Sequence, residues 1–209
     1  MKQTNPFAKL ALLTALVTFA SFSSQKQTAH AQSVPATATR QAQISAFGGL
    51  TGTYTDLQGG KNGSITAGGD FTFLSLPHVR PAFELRGTYP VDSGHIDSQK
   101  NFLLGPKVES QFGRFRPYVN FLIGRGSIDY LNGGLLNNGV LYLRTSSTVY
   151  SPGFGVDFDL SPQWGVKADF QYQYWSTPAT PAGTLHPKAT TLGVVYRFTF
   201  NPRHHRTKP

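Results

Sequence analysis

The residue types that could perform acid–base or nucleophilic chemistry are few in this chain. His95 lies between Ser93 and Asp97, but residues so close in sequence cannot converge as a catalytic triad. The other histidines fall in predicted turns, loops or termini, where they are His30, His78, His186, His204 and His205. The chain contains no cysteine, which excludes disulfides, a thiolate nucleophile and an acylated lipoprotein anchor. The sequence therefore predicts no catalytic residue, no metal site and no cofactor.

Charged residues instead follow an alternating pattern. From Val166 to Tyr174, Val, Ala, Phe and Tyr alternate with Lys, Asp and Gln. A β-strand places such residues on opposite faces, whereas a helix would scatter the charges around its surface. Extending this pattern along the chain predicts one polar face that carries Asp70, Glu84, Arg86, Lys107, Glu109, Asp157, Asp159, Lys167, Asp169 and Arg197.

The same period of two predicts eight strands. Their approximate ranges are 43–54, 64–75, 80–90, 98–110, 116–128, 145–160, 164–175 and 188–200. Each range is long enough to cross a bilayer as a tilted strand, which takes about 9–11 residues. Tight turns at 76–79, 111–115 and 161–163 alternate with longer connections at 55–63, 91–97, 129–144 and 176–187. This layout is typical of an outer-membrane barrel whose short turns are periplasmic.

The two faces of these strands indicate lipid on the outside. The polar face also carries small residues such as Thr66, Gly68, Gly155 and Gly193, which suit a narrow hydrated lumen, while the other face is aromatic and nearly uncharged. Trp164 and Trp175 are predicted to lie in the two aromatic girdles. Because lipid offers no hydrogen-bond partner, the first strand must pair with the last. The predicted fold class is all-β, an eight-stranded antiparallel up-and-down transmembrane β-barrel; a soluble barrel is the less favoured alternative.

The ends of the chain predict export. Lys2 and Lys9 precede a short apolar run, and Ala29-His30-Ala31 has the form of a cleavage site. We therefore expect a signal peptide at 1–31, a flexible lead-in at 32–42, the barrel at 43–200 and a basic periplasmic tail at 201–209. Three cations of the signal and three of the tail account for six of the nine net positive charges. A folded basic stripe is therefore not indicated, which argues against nucleic acid as a partner.

The last predicted strand carries a more specific signal. From Thr191 to Phe198, the residues Gly193, Tyr196 and Phe198 fit the pattern polar-x-Gly-x-x-aromatic-x-aromatic. This segment resembles the C-terminal β-signal by which the barrel-assembly machinery recognises outer-membrane barrels. Together with the strand layout, the chain resembles the OmpA/OmpX-type small outer-membrane β-barrels, in the group of porin-like outer membrane protein β-barrel domains, over residues 43–200. One departure is that Thr199, Phe200 and the basic tail follow the signal.

The resemblance implies a monomer in the outer membrane of a Gram-negative cell, surrounded by outer-membrane lipid and lipopolysaccharide and assembled by the barrel-assembly machinery. Three functions remain open. The first is a non-enzymatic structural or envelope-integrity role, or a surface-interaction role through the outer loops. The second is a narrow porin-like channel or conduit for small solutes, and the third is a lipid A-modifying enzyme. We favour the first because an eight-stranded interior is just filled by side chains.

The polar face is expected to form a salt-bridge network inside the lumen. The hairpin at Pro162 should bring Asp157 opposite Lys167, and the turn near Pro77 should bring Asp70 near Glu84 and Arg86. A charge on the lipid face would instead cost about 2–4 kcal/mol per Lys or Arg at mid-bilayer.

Overall fold

A computed structural model of the chain describes residues 42–74, 76, 79–92, 96–178 and 180–198. The predicted signal peptide, nearly all of the lead-in, residues 199–200 and the basic tail lie outside the described residues, as do His78, Ser93 and His95. Regular structure in the described part consists of β1 (Gln43–Tyr54), β2 (Lys61–Thr72), β3 (Arg80–Asp92), β4 (Asp97–Glu109), β5 (Phe115–Tyr130), β6 (Leu135–Asn137), β7 (Val140–Tyr142), β8 (Arg144–Asp159), β9 (Trp164–Tyr172), β10 (Tyr174–Ser176), β11 (Thr184–Leu185) and β12 (Lys188–Phe198). In the described part of the chain, no helix is long and apolar enough to cross a membrane.

Eight of the strands form a closed antiparallel barrel, in the order β1, β2, β3, β4, β5, β8, β9 and β12. The barrel closes where β12 pairs with β1, from Ile44 opposite Phe198 to Tyr54 opposite Lys188. Each wall strand therefore has a neighbour on both sides, which provides partners for its backbone groups in the absence of water. The predicted fold class is confirmed.

The alternation seen in the sequence separates the two faces of the wall. On β12, Leu192 and Val194 are 63% and 51% exposed, whereas Val195 and Arg197 are buried. At the short-turn end, the outer face carries a row of rings: Trp164 packs edge-on against Tyr196 at 4.9 Å, and Tyr196 against Phe198 at 4.9 Å. Trp164 thus lies on the outer face, as predicted.

Trp175 lies inside the barrel, so its predicted place in a lipid-facing girdle is wrong. It is 1% exposed and belongs to an apolar cluster with Leu57, Leu103, Leu122, Ile128, Tyr130, Val149 and Leu185, here called the inner apolar cluster. The alternation that points Lys167 and Gln173 inward also points Trp175 inward. Gly126 leaves room for the indole, because a Cβ there would overlap its six-membered ring. The indole N–H donates to Gln173 Oε1 at 2.8 Å, which satisfies the donor.

The third long connection, predicted as a loop at 129–144, contains the β6–β7 hairpin. Asn138 and Gly139 form its turn with φ of 50° and 78°, the left-handed conformation that type I′ turns require. Leu135 and Tyr142 pack against the inner apolar cluster. The hairpin is also tied to the fourth long connection, because Asn137 Nδ2 donates to the Pro178 carbonyl oxygen at 2.9 Å.

Candidate functional site

The barrel lumen is the candidate functional site, because the wall strands place charged side chains there. All ten charged residues predicted for the polar face point into it, and the structure adds Arg80 and Arg116. Asp97 of β4 is also buried inside the barrel, where its carboxylate accepts hydrogen bonds from Thr55 and Gln99. Among the interior charges joined in ion pairs, acidic and basic residues are equal in number. The six acidic residues are Asp70, Glu84, Glu109, Asp157, Asp159 and Asp169, and the six basic ones are Arg80, Arg86, Lys107, Arg116, Lys167 and Arg197.

The centre of the lumen is built around Arg86. Its Nη1 lies 2.6 Å from Asp169 Oδ1, and its Nε donates to Glu84 Oε1 at 2.7 Å. Asn120 Nδ2 donates to the other Glu84 oxygen at 3.0 Å. Arg86 and both carboxylates have side chains 3% exposed or less. A charge so buried is tolerated when it is paired and hydrogen-bonded, and this arrangement meets both conditions.

The Asp70 carboxylate finds a different partner from the expected one. It lies opposite Glu84 in the β2–β3 register, as the turn near Pro77 predicts, but its ion pair is with Lys107 of β4 at 2.9 Å. Lys107 Nζ is also 3.9 Å from Glu84 Oε2. Lys107 therefore separates two carboxylates that would otherwise repel each other across the strand pair.

Two aromatic rings complete the centre of the lumen. Tyr118 lies between two ammonium groups, with Lys107 Nζ 4.0 Å and Lys167 Nζ 4.1 Å from its ring centroid. Lys167 is also 4.6 Å from the Phe47 ring and 3.4 Å from Asp157 Oδ1. Cation–π contacts gain strength when desolvated, so the rings stabilise the buried lysines beyond their ion pairs.

A chain of ion pairs closes the short-turn end of the lumen. Arg116 joins Glu109 at 3.3 Å to Asp159 at 2.7 Å, and Arg197 links Asp159 to Asp157. Since Asp157 also binds Lys167, this chain is continuous with the pairs at the centre. We call the twelve interior charges joined in ion pairs the lumen network.

Towards the long loops, charge gives way to hydroxyls and then to apolar side chains. A chain of hydroxyl contacts crosses four neighbouring strands. The Thr191 hydroxyl lies 2.7 Å from that of Thr51, which lies 2.6 Å from that of Thr66, which in turn lies 2.9 Å from that of Thr88. Beyond them lies the inner apolar cluster. The lumen therefore has a charged half, which holds the ion pairs, and a largely apolar half, in which Asp97 is hydrogen-bonded to Thr55 and Gln99.

Sequence reasoning missed several members of this interior. Arg116 and Tyr118 alternate with Pro117 and Val119, so the period of two could have placed them on the lumen face. The alternation of polar and apolar residues does not place Phe47, because its neighbours Ala46 and Gly48 are both small. Only the closed barrel shows that its ring points inward.

The predicted assembly residues lie on both faces of β12. Tyr196 and Phe198 are on the outer face, while Gly193 faces inward directly opposite Gly49 on β1. A Cβ at Gly193 would overlap the Gly48 carbonyl oxygen and come within 2.7 Å of Gly49 Cα. The closing seam thus brings two glycine backbones too close together for any side chain.

A closed barrel with an ionic interior and an apolar outer wall defines an integral outer-membrane β-barrel protein. Residues 12–198 match the outer membrane protein beta-barrel domain, and the chain belongs to that family in the outer membrane. No curated protein matches the chain.

The chain is similar to several solved structures, of which Ail supports the fold. Ail, the attachment invasion locus protein of Yersinia pestis, is 14% identical with a TM-score of 0.52, over 76% of this chain and 99% of that one. Neisserial surface protein A, from Neisseria, is 15% identical with a TM-score of 0.49, over 77% and 97%. The N-terminal barrel domain of Pseudomonas aeruginosa OprF is 20% identical with a TM-score of 0.41, over 76% and 100%.

Proposed function

We propose that this chain is a structural, non-enzymatic barrel of the outer membrane whose interior is locked by the lumen network. The observation that carries the proposal is the mutual pairing of six carboxylates with six cations inside one narrow lumen. β1 joins them through Ser45, whose hydroxyl donates to Asp70 at 3.2 Å, so all eight wall strands contribute. The network therefore ties the wall together.

The same pairing argues against the alternative of a channel. Conduction needs side chains that bind a solute weakly and release it, whereas these charges are occupied by one another. Lys107 and Lys167 lie on either side of the Tyr118 ring in the charged half and are each 1% exposed. At the other end, the inner apolar cluster occupies the lumen, and the Asp97 carboxylate there is held by hydrogen bonds from Thr55 and Gln99.

Planar-bilayer recording tests this proposal. The wild-type barrel is expected to show no stable conductance, and Lys167→Ala is expected to remain silent because Lys107, Tyr118 and Arg86 still fill the centre. Tightly sealed bilayers containing detergent alone provide the control. A stable conductance that changes with Lys167→Ala would contradict the structural role and favour the narrow channel.

The partners follow from the membrane setting. We propose that the signal peptide is removed at export, that the barrel-assembly machinery recognises Gly193, Tyr196 and Phe198, and that the monomeric barrel is surrounded by outer-membrane lipid and lipopolysaccharide. The aromatic row of Trp164, Tyr196 and Phe198 supports the assembly role, because it lies on the outer face, with Trp164 and Phe198 exposed, where another protein can reach it.

A surface-interaction role is the second candidate, and the β6–β7 hairpin favours it. Its inner face packs on the inner apolar cluster, yet Leu136, Val140, Leu141 and Leu143 are 50–69% exposed. Leu136 and Leu141 are paired across the hairpin, and contiguous exposed apolar patches mark interaction sites.

Cell adherence tests this second role. Replacing Leu136 and Leu141 together with Ser is expected to lower the adherence of expressing cells to coated surfaces, because it removes the exposed pair on the hairpin. Surface labelling of intact cells controls for the amount displayed. Undiminished adherence at equal display would exclude the hairpin as the contact.

A further inference from the structure

A cluster of charged residues lies on the outer wall across β4, β5 and β8, on a face where most residues are apolar. Lys100 of β4, Arg125 and Asp129 of β5, and Arg144 of β8 alternate with inward residues and therefore lie on the outer face. All four occur in the parts of these strands nearer the long loops. Three cations and one carboxylate give this patch a net positive charge.

Three of the four charged side chains form ion pairs with one another, whereas Arg125 forms none with the residues that the structure describes. Asp129 binds both Lys100 at 3.2 Å and Arg144 at 2.7 Å, and Arg144 Nε also donates to Ser127 Oγ at 2.9 Å. Arg125 lies opposite Phe102 on the neighbouring strand. Within the described part of the chain, its guanidinium has neither a hydrogen bond nor an ion pair.

Beside the free guanidinium runs a groove in the wall of about 780 Å³. Lys100, Arg125, Ser127 and Ser146 line its polar part. Its apolar part is formed by Ile65, Ala67, Gly87, Tyr89 and Phe102, and the small side chains at positions 67 and 87 create the depression. Tyr89 and Phe102 are 67% and 54% exposed on the lipid side. The groove is thus amphipathic along its length.

The membrane makes an unpaired guanidinium here costly unless an anion accompanies it. An Arg on the lipid face of a barrel costs about 2–4 kcal/mol at the midplane and about 0–1 kcal/mol near the interface. Guanidinium groups bind phosphate through two parallel hydrogen bonds. A phosphate at Arg125 and Lys100 would neutralise the patch, and chains attached to that phosphate would fall on the apolar part of the groove.

We propose that this groove binds the phosphorylated headgroup of an outer-leaflet lipid, with phosphate on Arg125 and Lys100 and acyl chains across Ile65, Tyr89 and Phe102. The proposal deepens the lipid partnership proposed above by assigning it a site on the wall. It depends on the membrane location and not on the locked lumen, so bilayer recording and lipid binding can fail independently of each other.

Lipid titration of the refolded barrel in detergent micelles tests the site. The probes are lipid A with its phosphates, the same lipid without phosphates, and inorganic phosphate. The wild-type barrel is expected to bind phosphorylated lipid A about tenfold or more tightly than the dephosphorylated lipid, since hydrogen bonds to charged groups contribute about that factor. Arg125→Gln is expected to remove this preference, and Arg125→Lys to retain part of it.

Arg114→Gln is the matched control, because it removes one exposed cation at the short-turn end of the same barrel. It is expected to bind phosphorylated lipid A as the wild type does. Heat-modifiable migration on a gel establishes that every variant is folded. The proposal is overturned if Arg125→Gln keeps wild-type affinity, if dephosphorylated lipid binds equally well, or if inorganic phosphate alone displaces the lipid completely.

Discussion

Replacing Arg86 with alanine is expected to lower the free energy of unfolding by about 3–5 kcal/mol, the range measured when one partner of a buried ion pair is removed. The guanidinium contacts both Glu84 and Asp169 from the centre of the lumen. Without it, two carboxylates remain buried, and Lys107 is the nearest cation to one of them. Urea unfolding in lipid vesicles, followed by tryptophan fluorescence, measures the change.

Arg144→Ala serves as the control for this prediction. Arg144 also pairs with a carboxylate, at 2.7 Å from Asp129, but its side chain is 56% exposed. Exposed pairs contribute about 0–1 kcal/mol. An equally small effect for Arg86→Ala would mean that the lumen network does not stabilise the barrel, and the proposed structural role would lose its basis.

Replacing Gly193 with valine is expected to prevent closure of the barrel almost completely. The Cβ would overlap the backbone of β1 at Gly48, and neither strand can move away without losing pairs along the seam. Each unpaired backbone group in lipid costs several kcal/mol. The measurement is the fraction of chain that shows heat-modifiable migration after refolding.

Gly52→Val is the matched control, because a Cβ at Gly52 would meet no heavy atom of the described residues within 4 Å. Gly52 lies on β1, at the same β1–β12 seam, opposite Thr190, and the substitution adds the same side chain. We expect it to refold normally. If Gly193→Val refolds as well as Gly52→Val does, close backbone approach is not what requires glycine at this position.

The double variant Tyr196→Ala/Phe198→Ala, compared with Gly193→Val, distinguishes an effect on barrel closure from an effect on assembly in cells. These side chains are on the outer face, so the variant is expected to refold in detergent while assembling poorly in cells. Gly193→Val is expected to fail in both settings. Normal cellular assembly of the aromatic variant would remove the proposed recognition by the assembly machinery.

Local patterns predicted the parts of the fold that depend on neighbours in sequence. The period of two places Lys167 and Asp169 on the lumen face, and the hairpin at Pro162 brings Asp157 opposite Lys167, where they are 3.4 Å apart. Trp175 obeys the same period. The predicted girdle position of Trp175 was wrong because it followed the preference of tryptophan for the membrane interface and not the alternation of the strand.

Partners from distant strands could not be predicted in this way. Arg86 and Asp169 are 83 residues apart and meet only because the closed barrel brings β3 and β9 across the lumen from each other. The pairing of Asp70 with Lys107 likewise depends on the stagger between β2 and β4, which alternation does not specify.

The sequence by itself determined the class of fold, the lipid and lumen faces and the closing strand, because a strand's alternation is a local property of the backbone. Only the tertiary structure decided which cation meets which carboxylate, why Gly193 must be glycine and that Arg125 has no partner among the described residues. Those features depend on register and closure, which bring together atoms that no local pattern relates.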